Sequence, residues 1–280
     1  MRVYFTSILF IVMDGIKKEN KAVLILFGMG GTGGYVAKEF SRYYGAKTDA
    51  EKRNQKIAIE EVHGIDGDVV EAKNLARQCF EADDIGLNKA EVLCGALNDT
   101  FDMSWVAHDV YVTALSQIDE IMHEHKEKYY TRYIPVIVGC VDNHACRKLL
   151  EEFFEKSENC IYIDSANEFD DGEVIFATKI GGKVMSPCRS WYFPNLFEDP
   201  EIKPVTEMSC TELNNVAPQH IATNMMAGSI IFSALCNMFE TGEIVQGMKM
   251  FNARKGTICS YSKEQWKPYT GEIQELGGTA

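Results

Sequence analysis

Hydrophobic positions along the chain fall into two kinds of run. Residues 21–28 (KAVLILFG) and 134–141 (IPVIVGCV) are short and continuously apolar. Unbroken runs of this length mark parallel strands buried on both faces. Residues 57–65 resume strand character and stop at the turn-rich GIDGD. Elsewhere apolar residues recur at helical spacing: Val36, Phe40 and Tyr43 predict a helix over 35–44. Further helices are predicted over 72–80, 87–97 and 116–130, and one after residue 143 through Phe154, with a short strand at 111–114. The polar stretch 47–55 (KTDAEKRNQ) reads as a surface insertion. Strands alternating with helices in this way predict an α/β fold with a doubly wound sheet.

From Cys160 the pattern changes to strand, loop, strand, Gly-Gly turn and strand, which predicts antiparallel strands continuing the same sheet. A Pro- and aromatic-rich loop follows over 187–204, then a long apolar helix over 218–239. A soft boundary near residue 160 divides the domain into an N-terminal half, 1–160, and a C-terminal half, 161–280. The apolar N-terminal segment 3–13 (VYFTSILFIVM) is shorter than the ~20 residues of a membrane span. No small-residue cleavage site follows it, so it reads as a buried strand or an oligomer contact.

Charge narrows the classes of partner. With 28 basic and 41 acidic residues the formal net charge is −13, a poor match for nucleic acid or anionic lipid. Neither a nucleic acid nor a membrane partner is expected. Nine cysteines, an odd number with no CxxC pair, argue against a zinc ribbon and a dense disulfide scaffold. Reduced thiols in a cytoplasmic protein are expected. His123 and His125 lie two apart, a spacing that does not share a helix face, and read as surface histidines.

The first candidate for chemistry is the run GMGGTGG at 28–34. Gly28, Gly30 and Gly33 satisfy G-x-G-x-x-G between a predicted strand and a predicted helix, the context of a phosphate-cradling turn in a Rossmann-like domain. Taken alone the turn suits NAD as well as ATP. Asp66, at the end of the next strand, stands where a carboxylate binds a ribose hydroxyl, with Asp68 two residues on as a further nucleotide-binding candidate. Asn74, Arg77 and Lys89 follow: an amide and two fixed cations near a phosphate site suit a triphosphate. Asp142, with Asn143, sits at the carboxyl end of the second buried strand. A carboxylate there is a candidate Mg²⁺ ligand, or else the pair caps the following helix.

GMGGTGG, DGDVVEAKNLARQ, GLNKAEV and VDNHACR, in this order and spacing, resemble the ThiF/MoeB/HesA family, bacterial relatives of the ubiquitin-activating enzymes. The resemblance covers about residues 21–150 and continues more loosely through Ser209-Cys210 to about Phe239. The GCVDN form and the late SC followed by PQHIATN are most like the ThiF-like proteins of PRTRC systems. The resemblance implies an ATP-dependent adenylyltransferase that activates the C-terminal carboxylate of a small ubiquitin-fold protein, usually ending in Gly-Gly. It assigns the phosphate turn to Gly28, Gly30, Gly31 and Gly33, ribose to Asp66, phosphates to Asn74, Arg77 and Lys89, and Mg²⁺ to Asp142. It also implies a homodimer, which the apolar N-terminal segment and the Met-rich helix near Met225 would suit. Cys210, in the loop-like MSCTE, is the candidate for a later thioester, with Cys188 in a similar loop. The chain departs from the family in lacking the two CxxC pairs that hold zinc, so no zinc is expected. Members of the family often borrow an arginine from the dimer partner's N-terminal region; Arg2 is the only N-terminal arginine in this sequence, and it is not assigned that role. A non-catalytic nucleotide-binding interaction module, an NAD-dependent oxidoreductase, and a peptide or small-molecule nucleophile in place of a ubiquitin-like tail are the alternatives.

Overall fold

The computed structural model describes residues 19–123, 131–194, 196–197 and 220–266. The expected N-terminal segment at 3–13, Arg2, His125 and Cys210 lie outside the described residues. In chain order the elements are β1 (Glu19–Phe27), α1 (Gly31–Gly45), α2 (Asp49–Arg53), β2 (Ala58–Ile65), α3 (Lys89–Phe101), β3 (Trp105–His108), α4 (Leu115–His123) and β4 (Thr131–Gly139). There follow α5 (His144–Lys156), β5 (Cys160–Asn167), β6 (Asp171–Ile180), β7 (Lys183–Ser186), α6 (Arg189–Tyr192), α7 (Ile221–Thr241), β8 (Gly247–Asn252) and β9 (Thr257–Tyr261).

One nine-stranded mixed sheet holds them, in the order β3-β2-β1-β4-β5-β6-β8-β9, with β7 also paired to β6. Strands β1 to β5 run parallel, and β6, β7, β8 and β9 add antiparallel pairings. The fold is therefore Rossmann-like α/β with an antiparallel extension. The two apolar runs that opened the reading are the adjacent central strands β1 and β4. Period-two alternation in β1 sends Ala22, Leu24 and Leu26 to one face, against Val36, Ala37 and Phe40 of α1, Leu93 and Leu97 of α3, and α7. Val23, Ile25 and Phe27 go to the other face, with Ile118 of α4 and Leu150, Phe153 and Phe154 of α5.

Several local expectations change. The helix expected over 72–80 is a single 3-10 turn at Ala72–Asn74 followed by further turns. Asn74 Oδ1 accepts from the Glu71 backbone N–H at 2.8 Å, a side-chain bond that competes with helix propagation. The strand expected at 111–114 lies earlier, at Trp105–His108, anchored by the Trp105 indole N–H donating to Ser41 Oγ at 2.8 Å. The surface insertion contains α2, started by a reciprocal capping box between Thr48 and Glu51. The helix expected over 116–130 is described as far as His123, and β8 and β9 close the sheet where no strand was expected. By length and composition α7 is apolar enough to cross a bilayer, yet half of its apolar window is buried, and it packs against α1, β5 and β6.

Candidate functional site

β1 is the hinge of the topology. The chain leaves it through α1 to β2 on one side, and β4 pairs on its other side, so a crevice opens at its carboxyl end. The glycine turn fills the floor of that crevice. Gly28 has φ +86°, donates its N–H to Ile65 O at 2.8 Å, and stands where a β-carbon would lie 2.6 Å from Cys140 O. A β-carbon on Gly33 would overlap the Gly28 carbonyl oxygen, so α1 can start this close to β1 only with glycine there. Gly30 is the N-cap and supplies no side-chain acceptor, and no acidic residue occupies the first turn. The leading amides of a 15-residue helix are thus left uncapped at the crevice, with the positive end of its dipole. Gln78, which sequence reasoning did not single out, lies over the turn, its Nε2 3.4 Å from a β-carbon placed on Gly30.

The tip of β2 supplies the acidic side. Asp66 Oδ2 accepts from Met29 N at 2.7 Å and Oδ1 from Asp68 N at 2.9 Å, tying the turn to the neighbouring strand. Burial pushes the Asp66 carboxyl up to about 6, against the pull of the Lys89 charge and its two backbone donors. Lys89, the first residue of α3, is 7% exposed, and its Nζ donates to Asp68 Oδ2 at 2.7 Å. Asn88 caps α3 by accepting from Glu91 N at 3.0 Å, and its amide donates to the carbonyls of Asp66 (2.8 Å) and Asp68 (3.1 Å). Helix start and acidic loop are therefore fixed to each other. Asp68 also accepts from Tyr111 Oη at 2.6 Å. Burial opposes ionisation of Asp68, but the Lys89 charge and these bonds hold its carboxyl below the usual carboxylate range.

Asn74 is buried and spends Oδ1 on the local turn, while Arg77 N donates to Asn74 O at 3.0 Å. The half-buried Arg77 side chain makes no hydrogen bond or ion pair among the described residues. At the tip of β4 the two adjacent polar residues divide the work. Asn143 is the cap of α5, accepting from Cys146 N at 2.7 Å, and Asp142 is exposed with no hydrogen bond or ion pair among the described residues. Among the described residues no group of three or more His, Cys, Asp or Glu side chains is arranged to hold a metal ion. A single free carboxylate is still a fitting ligand for Mg²⁺, which keeps waters and is otherwise held by phosphate oxygens.

Beneath Asp142 lies a buried charge cluster that the sequence reading missed. Arg147 donates to Val141 O (2.5 Å), Ser165 O (2.9 Å) and Asp164 Oδ1 (3.3 Å). Arg189 pairs with both Asp164 and Glu173. Burial works against the Asp164 charge, but Arg189 and Arg147 keep its carboxyl below the usual range. The available signal was an aspartate inside the apolar strand CIYIDSA, which demands a buried partner.

The fold thus gathers Gly28, Gly30, Gly31, Gly33, Asp66, Asp68 and Lys89 around the tips of β1 and β2, with Asp142 at the tip of β4. Among solved structures, E. coli MccB crystallised with succinimide superposes with a TM-score of 0.59 at 16% identity, covering 86% of this chain and 63% of that one. E. coli MccB with ATP gives 0.58 at 16% identity, covering 88% and 64%. PaaA gives 0.57 at 14% identity, also covering 88% and 64%. This chain therefore spans somewhat under two thirds of the length of those structures, and at such identities the likeness is one of fold. No curated protein matches the chain. The family model of the ThiF family, however, matches residues 4–265, nearly the whole sequence. A glycine turn under the β1/β4 switch point, a buried Lys89 beside it and a match of this extent place the chain in the ThiF family.

Proposed function

We propose that this protein is an ATP-dependent adenylyltransferase that activates a carboxylate on a partner protein or peptide. One observation carries the reading: the uncapped start of α1 shares a crevice with a buried lysine, a ribose-side carboxylate and an unpartnered carboxylate on the far wall. A dinucleotide enzyme has no evident use for the buried lysine and the carboxylate on the far wall together with Arg77. Membership of the ThiF family and the likeness to MccB, which has been solved with ATP, support the same choice.

In the proposed reaction a carboxylate oxygen attacks the α-phosphorus. The bond to the bridging oxygen breaks, and pyrophosphate leaves with the electron pair. The nucleophile is already ionised, so no protein base is needed, and the chain's task is to position two anions and neutralise them. The α1 amides bind phosphate oxygens, and Asp66 accepts from the ribose hydroxyls. Lys89 exchanges Asp68 for a phosphate oxygen, with Asn74 and Arg77 beside it. Asp142 would hold Mg²⁺, which supplies further charge neutralisation at the phosphates.

The finer reading names a ubiquitin-fold partner with a Gly-Gly-like tail, a PRTRC-like subgroup, a cytoplasmic homodimer, and Cys210 as acceptor of the activated acyl group. Met225, 44% exposed on α7, fits a dimer face. The test is ATP–pyrophosphate exchange with candidate partners encoded nearby. Exchange that appears only with a Gly-Gly-ended partner supports the reading. Tight NAD binding without exchange, or ATP binding without turnover for every partner supplied, rejects it. Unchanged acyl transfer in Cys210→Ala removes that thiol.

A further inference from the structure

Three polar side chains from separate elements meet on the flank of the glycine turn. Thr32 Oγ1, in the first turn of α1, donates to Asn224 Oδ1 at 3.2 Å and accepts from Asn167 Nδ2 at 2.8 Å. Asn167, at the end of β5, also reaches Asn224 Oδ1 at 3.4 Å, and its own oxygen accepts from Ser165 Oγ at 3.2 Å. Asn224 belongs to the first turn of α7, which is pinned by Thr223 Oγ1 donating to Phe169 O at 2.6 Å. Asn224 turns its Oδ1 to Thr32 and Asn167. One atom is left over. Asn224 Nδ2 is buried in a side chain only 1% exposed, has no hydrogen-bond partner among the described residues, and faces Gly31, where a β-carbon would collide with it.

A buried donor without a partner is costly and uncommon. What surrounds this one is more donor: the uncapped amides and positive end of α1. The place lacks an acceptor, and the acceptor it fits best is an anion. It lies on the β5 side of the turn, whereas Asp66, Asp68 and Lys89 occupy the β2 side. Resting on the adenylation reading, in which the β2 side holds nucleoside and phosphates, the anion approaching from the β5 side is the attacking carboxylate. We propose that Asn224 Nδ2, beside the leading amides of α1 that hold the phosphates, binds an oxygen of the partner's carboxylate and holds it for attack. Gly31 is then glycine because a side chain there would displace both the amide and the acyl oxygen.

The test uses the full chain, calorimetry, and three probes: ATP, AMP, and 5′-O-(N-glycylsulfamoyl)adenosine, an uncleavable mimic of an acyl adenylate. Asn224→Ala should weaken the mimic about tenfold, the scale of one hydrogen bond to a charged group, with ATP and AMP unchanged. Asn224→Asp, which keeps the acceptor that Thr32 and Asn167 use, should weaken it further. Asn224→Ser, which keeps a donor, should recover part of the loss. Urea unfolding of each variant separates a binding loss from a folding loss. Equal weakening of AMP and mimic would overturn the assignment in favour of a phosphate oxygen, and unchanged binding of all three probes by a folded variant would overturn it outright. A parent chain that binds no adenine nucleotide would instead sink the adenylation reading itself.

Discussion

Replacing Asp66 with asparagine should stabilise the free protein at neutral pH while weakening its ligand. The carboxyl is held near 6, from an ordinary 3.8, chiefly because it is buried behind the glycine turn. At 1.36 kcal/mol per pH unit that difference is worth about 3 kcal/mol. A raised folded-state value means the stabilising contribution is complete below 3.8 and is lost as pH rises through about 6. At pH 4 the protonated carboxyl and the amide are near-isosteres. Each offers one good acceptor to the two donors Met29 N and Asp68 N, so parent and variant should unfold within about 1 kcal/mol of each other. Between pH 4 and 7 the parent must ionise the group and the variant need not. The gap should therefore open in the variant's favour by about 3 kcal/mol. Urea unfolding at half-unit pH steps gives both curves. Adenosine nucleotides, whose hydroxyls would donate to the ionised carboxylate, should bind the variant about tenfold more weakly at pH 7.5. Parallel curves, or a variant less stable than the parent at pH 7, would show that the backbone donors and Lys89 outweigh burial and that the argument is wrong.

Other perturbations separate scaffold from chemistry. Lys89→Met should cut pyrophosphate exchange by about 10² or more, the scale of one lost transition-state donor, measured at saturating ATP. Because Asp68 is 46% exposed and keeps its Tyr111 bond, the same change should cost only about 1 kcal/mol in urea unfolding. Gly33→Ala should lower stability by about 3 kcal/mol or more, or abolish soluble expression, since the new carbon has no room against Gly28 O. Asp142 and Asn143 should behave oppositely despite being adjacent. Asn143→Ala loses the α5 cap and about 1 kcal/mol of stability, whereas Asp142→Asn melts like the parent and loses Mg²⁺-dependent exchange.

The central strands were legible because burial on both faces leaves no polar position to disguise a strand, and the glycine turn because its spacing answers a steric demand that Gly28 and Gly33 show directly. The 72–80 segment misled for the opposite reason. Its apolar spacing suits a helix, but the Asn74 side chain closes a turn of its own, a competition that periodicity cannot register. Asn224 was hidden inside an apolar helix pattern, where a single polar residue passes as noise until its neighbours Thr32 and Asn167 are brought from 192 and 57 residues away. Likewise β8 has strand meaning only beside β6, which supplies its register, and β9 only beside β8.

The buried ion pairs explain how the two halves of the chain serve one crevice. β5 lies parallel to β4 in a register that sets Asp164 opposite Gly139, where a β-carbon would press on Tyr162 and Leu150. Reversal of direction at β6 brings Glu173 to the same end, where Arg189 can pair with both acids. Arg147 then spans from Asp164 to the carbonyl of Val141, the residue just before Asp142. Burying these charges is costly, and well-packed apolar residues would fill the space at least as stably. What apolar residues could not do is hold the Val141 carbonyl in one direction. The carbonyl next to Asp142 on the crevice wall is thus held by Arg147, which groups contributed after residue 160 hold in turn, and the antiparallel extension of the sheet is part of the candidate site's geometry, not an appendage to it.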